Sequence, residues 1–369
     1  MFGGNDASAS RMEIAQKLHS MKNARCLKLF VAAVLCVSFT LVSIMSLLAT
    51  PFSFRPHLMP NVSWRFTPHS FLRGQQSLRQ GDGFYLEYIL RKTAMPDKTV
   101  IITTLNEAWA TRNTMIDLFL ESFGLGINTT RFLDHLLIVA LDQNSYDRCI
   151  SIHSHCFELK TDGVDFSGEK IFNSPDYLRM MWRRIDFLRQ VLEEGYSFLF
   201  SDADIMWFRD PFPYISPDAD IQVACDKYLG QPNSLRNRAN GGFLFARANK
   251  RTINFYKYWY LAKEVFPGMH DQDVLNKIKR DNALKEFGLR LQFFDTKFIS
   301  GFCQLSNDFE VIVTMHANCC YGLQNKLDDL RQMLTDWKRF RSMTPSMKRF
   351  GRPTWAAPKA CLTSWNMVH

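Results

Sequence analysis

Two aspartates follow an apolar run in "FLFSDADIMWF": Asp202 and Asp204, with only Ala203 between them. Side chains two positions apart on an extended chain point to the same side, so the two carboxylates can converge. Two like charges so close would normally force one group to hold a proton, and a divalent cation removes that conflict. Mg²⁺ binds one or two protein carboxylates and completes its shell with water and substrate phosphates. The pair therefore predicts a metal site for a diphosphate, the alternative being a strand-end pair that closes a turn.

The segments around this pair alternate between strand and helix patterns. Apolar and β-branched runs in "KTVIITTL", "HLLIVALD" and "YSFLFS" predict strands. "MIDLFLESFGLG" predicts one helix, and "SPDYLRMMWRRIDFLRQVLEEG" predicts another that Ser174 caps, with Pro175 in its first turn and Gly195 at its end. This order indicates an α/β fold with a mostly parallel, buried sheet. Ligands of such sheets bind beyond the carboxyl ends of the strands, where Asp202 and Asp204 stand.

Two later stretches place polar residues or glycines beside apolar segments. The glycine pair of "NRANGGFLFA" precedes a predicted strand, and it either lets the backbone approach a ligand closely or forms an ordinary turn. The acidic residues of "GMHDQDVLNKI" open a predicted helix, where they either cap the helix or face a ligand. The candidate residues of the two stretches are Asn240, Gly241, Gly242, Asp271, Gln272 and Asp273.

A third stretch, "VIVTMHANCCYGLQNK", ends a predicted strand on His316. Gly322 and Lys326 follow it. A histidine in that position is either a core residue or a ligand, and the sequence around it leaves both readings open.

The N-terminal region indicates a membrane anchor. Residues 29–49 form an uncharged apolar run, long enough to cross a bilayer as a helix and longer than the apolar part of a cleaved signal peptide. Residues 1–28 carry five basic and two acidic side chains, which places that side in the cytosol. Residues 338–369 carry seven basic side chains and no acidic one, so the rest of the +9 chain is nearly neutral and a nucleic-acid-binding surface is not indicated.

These features predict a cytosolic tail at 1–28, a signal anchor at 29–49, a luminal stem at 50–96, a catalytic domain at 97–340 and a basic tail at 341–369. Two glycosylation acceptor triplets, at Asn61 and Asn128, agree with a luminal location. Cys149 and Cys156 can close a short disulfide in an oxidising compartment. Zinc is the rival reading there because histidines lie between them, although the spacing is not a standard zinc spacing.

Taken together, seven blocks resemble the plant nucleotide-diphospho-sugar transferase family, glycosyltransferase family 77, which includes cell-wall arabinosyl- and xylosyltransferases. The blocks are "TTLNEAW", "GVDFSGEK", "PDYLRMMWRRIDFLR", "SDADIMWFRDPF", "NGGF", "PGMHDQDVLN" and "MHANCC", and the resemblance runs from about residue 97 to about residue 340. It implies a GT-A fold, a type II Golgi membrane enzyme, a metal-bound UDP-sugar donor and retention of anomeric configuration. The sugar, the acceptor and the oligomeric state stay open.

The resemblance also implies roles for individual residues. Asp204 would bind Mn²⁺ or Mg²⁺ directly, Asp202 would assist through the metal or the donor ribose, and His316 would be the distal metal ligand. Lys326 resembles a diphosphate-binding lysine, although the interval from Gly322 is longer than in the family pattern. The expected donor-binding residues beyond these are Thr103, Thr104, Asn106, Arg183 or Arg184, Asn240, Gly241 and Gly242. Asp271, Gln272 and Asp273 would face the transferred sugar and act as the catalytic residues.

The expected reaction separates charge at the bond between the anomeric carbon and UDP. A metal neutralises the diphosphate, and a carboxylate or amide oxygen stabilises the sugar ring. Attack by the acceptor hydroxyl on the face that UDP leaves is the favoured route, with a covalent intermediate on Asp271 or Asp273 as the alternative. Two other functions are kept beside this one: a scaffold that binds a nucleotide sugar or polysaccharide without turnover, and a luminal metal-dependent phosphohydrolase.

Overall fold

The structure, a computed structural model, describes residues 80–161, 163–351 and 353–368. In these three stretches no helix combines the length and the hydropathy that a bilayer crossing requires. The predicted cytosolic tail, the predicted anchor at 29–49 and the predicted glycosylation site at Asn61 lie outside the described residues.

Seven strands form the central sheet in the order β3-β2-β1-β4-β7-β6-β8. All run parallel except β7, which is antiparallel to both of its neighbours, β4 and β6. This confirms the predicted α/β fold with a mostly parallel sheet. The strands are β1 (Thr99–Leu105), β2 (Leu136–Ala140), β3 (Cys156–Glu158), β4 (Ser197–Ser201), β6 (Ile221–Lys227), β7 (Arg238–Ala246) and β8 (Leu291–Phe293).

A second sheet of three short strands lies at the carboxyl end of β4. Its order is β5-β10-β9, with β10 antiparallel to β5 and parallel to β9. The strands are β5 (Ile205–Trp207), β9 (Ile299–Gly301) and β10 (Thr314–His316). Because β5 starts directly after Asp204, this sheet joins the predicted aspartate pair to the strand that ends on His316.

Helices cover both faces of the central sheet. Alternating residues of β1 and β4 face opposite sides: Ile101 and Leu199 pack in one apolar cluster, Val100 and Phe198 in the other. Each face therefore has its own core. The α-helices are α1 (Gln80–Thr93), α2 (Glu107–Ala110), α3 (Met115–Leu125), α4 (Gln143–Ile152), α5 (Pro175–Glu193), α6 (Lys250–Val265), α7 (Asp271–Ile278), α8 (Asn282–Glu286), α9 (Leu323–Ser342), α10 (Pro345–Gly351) and α11 (Ala360–Asn366).

Helix α5 begins as the sequence predicts. The Ser174 side chain accepts a hydrogen bond from the Tyr177 backbone N–H, and Pro175 occupies the first turn. Gly195, with φ of +82°, lets the chain turn directly into β4. Helix α5 thus leads straight to the strand that carries the aspartate pair.

Folded segments extend beyond both predicted boundaries of the catalytic domain. Helix α1 lies within the predicted stem, yet its Leu86 and Leu90 side chains are completely buried in the core. Residues 341–369 are not merely a basic tail, since Trp355 and Cys361 are buried and two helices form there. Short amphipathic helices flanked by Pro and basic residues gave little periodicity, which is why the sequence pattern missed them.

Three disulfides join six of the seven described cysteines, as Cys149–Cys156, Cys303–Cys319 and Cys320–Cys361, while Cys225 is free and buried. The first confirms the predicted short bridge. The zinc interpretation of the same pair is wrong, because both sulfur atoms are bonded to each other. The other two bridges diverge from adjacent cysteines just beyond β10.

Candidate functional site

Asp202, Asp204 and His316 converge at the carboxyl end of β4. One ligand atom from each residue lies within 4.8 Å of the other two. The register of β10 against β5 sets His316 opposite Ile205, and the Ala317 N–H donates to the Asp204 carbonyl at 3.1 Å. The structure thus brings together the three residues that the sequence predicted as metal ligands.

The geometry of this triad fits a divalent cation. His316 Nε2 lies 3.2 Å from Asp204 Oδ1 and 3.9 Å from Asp202 Oδ2. Adjacent ligands of a six-coordinate ion with bonds of about 2.1 Å are about 3 Å apart. Asp204 Oδ1 is buried and accepts no hydrogen bond from the described residues, so its lone pairs are available. Two carboxylates and one imidazole suit Mn²⁺, and Mg²⁺ with less preference for the nitrogen.

Each of the two aspartates forms an ion pair with a cationic side chain. Arg184 donates from Nη1 to Asp202 Oδ1 at 3.0 Å, and Lys326 Nζ lies 2.5 Å from Asp204 Oδ2. Burial by itself would raise the pKa of Asp204, but Lys326 and His316 hold that pKa below its usual range. Burial raises the pKa of Asp202 despite Arg184, and the Asp204 charge adds to the rise. The two carboxylates are therefore unequal, as expected of like charges sharing one site.

Arg184 links this site to the start of α7. Its Nη2 donates to Asp271 Oδ2 at 2.7 Å, and its guanidinium lies over the Phe200 ring at 4.8 Å. Asp271 is completely buried, and the His270 ring and Arg184 hold its pKa below the usual range against the effect of burial. Arg184 therefore joins Asp202 and Asp271 in one charged network.

His270, rather than an aspartate, caps α7. Its Nδ1 accepts from the Gln272 backbone N–H at 3.3 Å, so a ring proton lies on Nε2, 3.0 Å from Asp271 Oδ1. The cap interpretation of the acidic residues is thus wrong for Asp271. Asp273 makes no hydrogen bond or ion pair within the described residues, and the structure does not join it to the site.

Gln272 makes hydrogen bonds to β7 and to a further carboxylate, the partly buried Asp226. Its side-chain oxygen accepts from the Gly241 N–H at 2.9 Å, and its nitrogen donates to Asp226 Oδ2 at 3.0 Å. Asp226 Oδ1 also accepts from Asn240 at 2.8 Å and Asn318 at 3.0 Å. The sequence analysis missed Asp226, although the apolar run of β6 ends on it just as β4 ends before Asp202.

Gly242 has no side chain, so Asp202 and His316, two of the predicted metal ligands, can both pack against its backbone. A Cβ there would lie 2.5 Å from Asp202 Oδ2 and 2.5 Å from His316 Cε1. Its carbonyl also accepts from the Asp202 N–H at 2.7 Å. Asn240, Gly241 and Gly242 lie inside β7 rather than ahead of it, so the alternative of an ordinary turn is wrong. The backbone of Gly242 lies close to Asp202 and His316, and its close approach to a ligand stays a prediction.

The other predicted donor-binding residues separate into two groups. Arg183 pairs with Asp186 at 3.1 Å and donates to the Lys160 carbonyl at 3.2 Å, so it belongs to a buried network apart from the metal ligands. Thr103 is completely buried in β1, so its side chain is not accessible to a ligand. Side chains along a strand point to alternate faces of the sheet. Thr104, its neighbour, is partly exposed at the carboxyl end of that strand.

Asn106 organises the loop beside the site. Its side-chain nitrogen donates to the Phe166 carbonyl at 3.1 Å and to the Gly168 carbonyl at 2.8 Å. Asn128 is exposed, with φ of +58°, on a loop after α3. Its glycosylation stays a prediction.

The profile of the nucleotide-diphospho-sugar transferase family matches residues 131–330, which include the aspartate pair, α7 and His316. The chain belongs to this family. An uncharacterised Arabidopsis thaliana protein is 47% identical to it over 279 residues, 75% of this chain and 73% of that protein. A beta-arabinofuranosyltransferase of the same plant is 33% identical over 124 residues, 32% of this chain and 23% of that enzyme. Among solved structures, the glycosyltransferase GlyE of Streptococcus pneumoniae shares 13% identity at a TM-score of 0.40, covering 71% of this chain and 66% of that one.

Membership of this family confirms the resemblance that the seven sequence blocks carry. Asp202, Asp204 and His316, the triad predicted to bind a metal, lie at the carboxyl end of β4 with Lys326 beside Asp204. Arg184 pairs with Asp202, and Lys326 pairs with Asp204.

Proposed function

We propose that this transferase has a GT-A fold and moves a pentose or hexose from a UDP-sugar to a glycan or glycoprotein acceptor, with Mn²⁺ or Mg²⁺ held by Asp202, Asp204 and His316. The observation that carries the proposal is the triad itself, in which Asp204 and His316 are buried, Asp204 has an unsatisfied carboxylate oxygen, and Lys326 lies beside it. When bound, the cation supplies Lewis acidity for the charge that develops on the diphosphate. A scaffold that only binds a nucleotide sugar has no need of such a site.

Lys326 contributes positive charge for the diphosphate. Its ammonium now pairs with Asp204 and lies 5.5 Å from the Trp109 ring centre, with 17% of the side chain exposed. A bound diphosphate competes with Asp204 for this ammonium, so the lysine binds the anion and stabilises it as the leaving group. The predicted diphosphate role of Lys326 thus gains support from its position.

Gln272 and Asp271 have different roles in the proposed reaction. The Gln272 amide is oriented by the Gly241 N–H and by Asp226, so a polar group is fixed where the transferred sugar is expected. Asp271 is locked against Arg184 and has no exposed surface. A carboxylate so held is poorly placed to attack an anomeric carbon, which favours attack by the acceptor hydroxyl on the face that UDP leaves. Retention of configuration follows from that route.

We propose a Golgi membrane location with the catalytic domain in the lumen. The apolar run at 29–49 supports an anchor, and the disulfides of the described residues suit an oxidising compartment. A protease-protection assay on microsomes should leave the catalytic domain intact. Degradation of that domain, or a mature N-terminus beyond residue 49, would contradict the anchor.

Incubation of the detergent-solubilised full-length protein with a panel of UDP-sugars and Mn²⁺ tests the function. We expect one UDP-sugar to be consumed, faster when a glycan acceptor is added, and no consumption in EDTA until Mn²⁺ is restored. Consumption at a rate that no acceptor changes would favour the phosphohydrolase. Binding of UDP-sugars without consumption would favour the scaffold.

A further inference from the structure

An aromatic row borders the site on the α7 side and consists of Phe172, Tyr177, His270, Tyr321 and Trp365. The Phe172 ring centre lies 5.3 Å from that of Tyr177, 5.5 Å from His270 and 6.0 Å from Tyr321. Tyr177 stacks on His270 at 5.4 Å, and Tyr321 stacks on Trp365 at 5.4 Å. Five rings from four separate parts of the chain therefore form one continuous surface.

The row is joined to the chemistry of the site by hydrogen bonds and ion pairs. The Tyr177 hydroxyl lies 3.2 Å from His270 Nε2, and the same nitrogen lies 3.0 Å from Asp271 Oδ1. Asp271 pairs in turn with Arg184, which holds Asp202. Three contacts therefore connect His270 of the row to Asp202, and the row lies next to the helix expected to face the transferred sugar.

Fixed contacts hold the row in place before any ligand arrives. Glu169, on the Phe172 loop, accepts a hydrogen bond from the Leu323 N–H at 3.1 Å, which ties that loop to α9. The Tyr321 N–H donates to the Ser364 hydroxyl at 3.1 Å, and the Cys320–Cys361 disulfide joins the same two segments. A rigid aromatic surface loses little conformational entropy when a ligand binds.

The exposure of the row is unlike that of a core cluster. Phe172 is 45% exposed and the preceding Ile171 is 78% exposed, while Tyr177, Tyr321 and Trp365 are partly buried. Burying such apolar area against a ligand is favourable by about 25 cal/mol per Å². The faces of aromatic rings also carry negative charge density, which attracts the electropositive C–H groups on one face of a sugar ring.

We propose that the aromatic row is the acceptor subsite, on which a neutral sugar ring of the glycan acceptor stacks beside the reacting centre. This inference rests on the proposed function and names the surface that binds its second substrate. A sugar ring fits because it offers an apolar C–H face to the exposed ring of Phe172. The uracil of the donor is the other flat ligand of this reaction. We expect the uracil on the β1 side, where Thr104 is partly exposed at the strand end.

Acceptor kinetics of the full-length protein test the subsite. The probes are neutral arabino-, xylo- and galacto-oligosaccharides, used with the UDP-sugar that the wild type consumes. Phe172→Ala and Tyr321→Ala should raise the acceptor KM about tenfold or more, which corresponds to about 1.4 kcal/mol of binding free energy. Phe172→Leu keeps apolar volume without the ring and should behave like Phe172→Ala, whereas Phe172→Trp should restore a KM near that of the wild type.

Two controls keep this test specific. Phe350→Ala removes another exposed phenylalanine, 80% exposed on α10 and outside the row, and should leave the acceptor KM unchanged. The Kd of UDP with Mn²⁺ should change less than twofold in Phe172→Ala. An unchanged acceptor KM in both alanine variants overturns the proposal, and so does a rise in the Kd of UDP as large as the rise in KM, which would assign the row to uracil.

Failure of the proposed function can be told apart from failure of the subsite. If the wild type consumes no UDP-sugar, saturation-transfer NMR measures binding of the same oligosaccharides directly. Transfer to the sugar C–H protons in the wild type, lost in Phe172→Ala and kept in Phe350→Ala, supports the subsite without any turnover. Absence of transfer in the wild type overturns it.

Discussion

Two buried aspartates, Asp186 on α5 and Asp204 after β4, meet their positive partners in opposite ways. Asp186 accepts hydrogen bonds on both oxygens: Arg189 donates twice to Oδ1, and Arg183 and Gln190 donate to Oδ2 at 3.1 and 3.0 Å. Asp204 has Lys326 on one oxygen, while its other oxygen faces His316 without a hydrogen bond. Both oxygens of Asp186 are therefore hydrogen-bonded within the protein, whereas one oxygen of Asp204 is not.

The difference separates a carboxylate that stabilises the fold from one that is kept for a ligand. When both oxygens of a buried carboxylate are hydrogen-bonded within the protein, its interactions belong to the folded chain. Removing it leaves its buried partners unpaired. An unsatisfied buried oxygen costs free energy until something binds it. The neighbouring arginines of α5 show the same division, since Arg183 pairs with Asp186, whereas Arg184 pairs with Asp202 of the candidate site.

Removal of each carboxylate in turn tests this division most directly. Asp204→Ala should lower the transfer rate about 10³-fold because a metal ligand is lost, and should leave the melting temperature within a few degrees of the wild type. UDP release and thermal unfolding measure the two effects. An Asp204→Ala variant with wild-type rates, or a wild type fully active in EDTA, would refute the metal site.

Asp186→Ala should instead destabilise the fold. It leaves Arg183 and Arg189 buried without their carboxylate, and breaking such a pair costs about 3–5 kcal/mol. Urea unfolding measures this loss, and the folded fraction should keep its specific activity. A stable but inactive Asp186→Ala protein would contradict the division.

Exchanging each neighbouring arginine for lysine is the next test. Arg184→Lys should lower kcat about 10- to 100-fold, because one ammonium cannot reproduce the two-pronged bridge between Asp202 and Asp271. Arg183→Lys should lower stability by about 1–3 kcal/mol with little change in kcat. Equal effects of the two changes on kcat would mean that the division of roles is wrong.

A smaller effect is expected at the start of α7. Gln272→Ala should lower kcat at least tenfold and lower stability slightly, since it frees the Gly241 N–H and Asp226. Asp273→Asn, at a position with no described polar contact, is the matched comparison and should change kcat less. If the order of the two is reversed, Asp273 faces the sugar and Gln272 only braces β7.

The smallest effect concerns pH. Burial lowers the pKa of His153, whose Nε2 lies 2.7 Å from the Leu136 carbonyl oxygen. The unfolded chain then binds more protons than the folded one as pH falls below about 6.5. The free energy of unfolding is therefore unaffected by His153 protonation above that pH and decreases below it. Urea unfolding between pH 7.5 and 5.5 should show this decline, and His153→Gln should reduce it. Equal slopes in both proteins would remove His153 as the cause.

The sequence predicted the elements and the metal ligands because both leave local signals. Ser174 and Pro175 mark the start of α5, and an apolar run before Asp202 marks a strand end. The choice between Arg183 and Arg184 left no such signal: neighbouring helix residues differ by about 100° in direction, and both of these are buried. Asp226 was missed because its partners Asn240, Gln272 and Asn318 are brought to it from three distant segments.

Cys319 and Cys320 are neighbours bound to different partners, Cys303 near β9 and Cys361 on α11. Exchange of the two partners would shift the backbone between His316 and Lys326 by one residue without changing mass, sequence or the number of bridges. Such an isomer would carry Asn318 away from Asp226 and would pass ordinary purity checks. Preparations of this protein therefore call for tandem mass spectrometry that breaks the backbone between Cys319 and Cys320, since total thiol counts and an ordinary peptide map give the same result for both isomers.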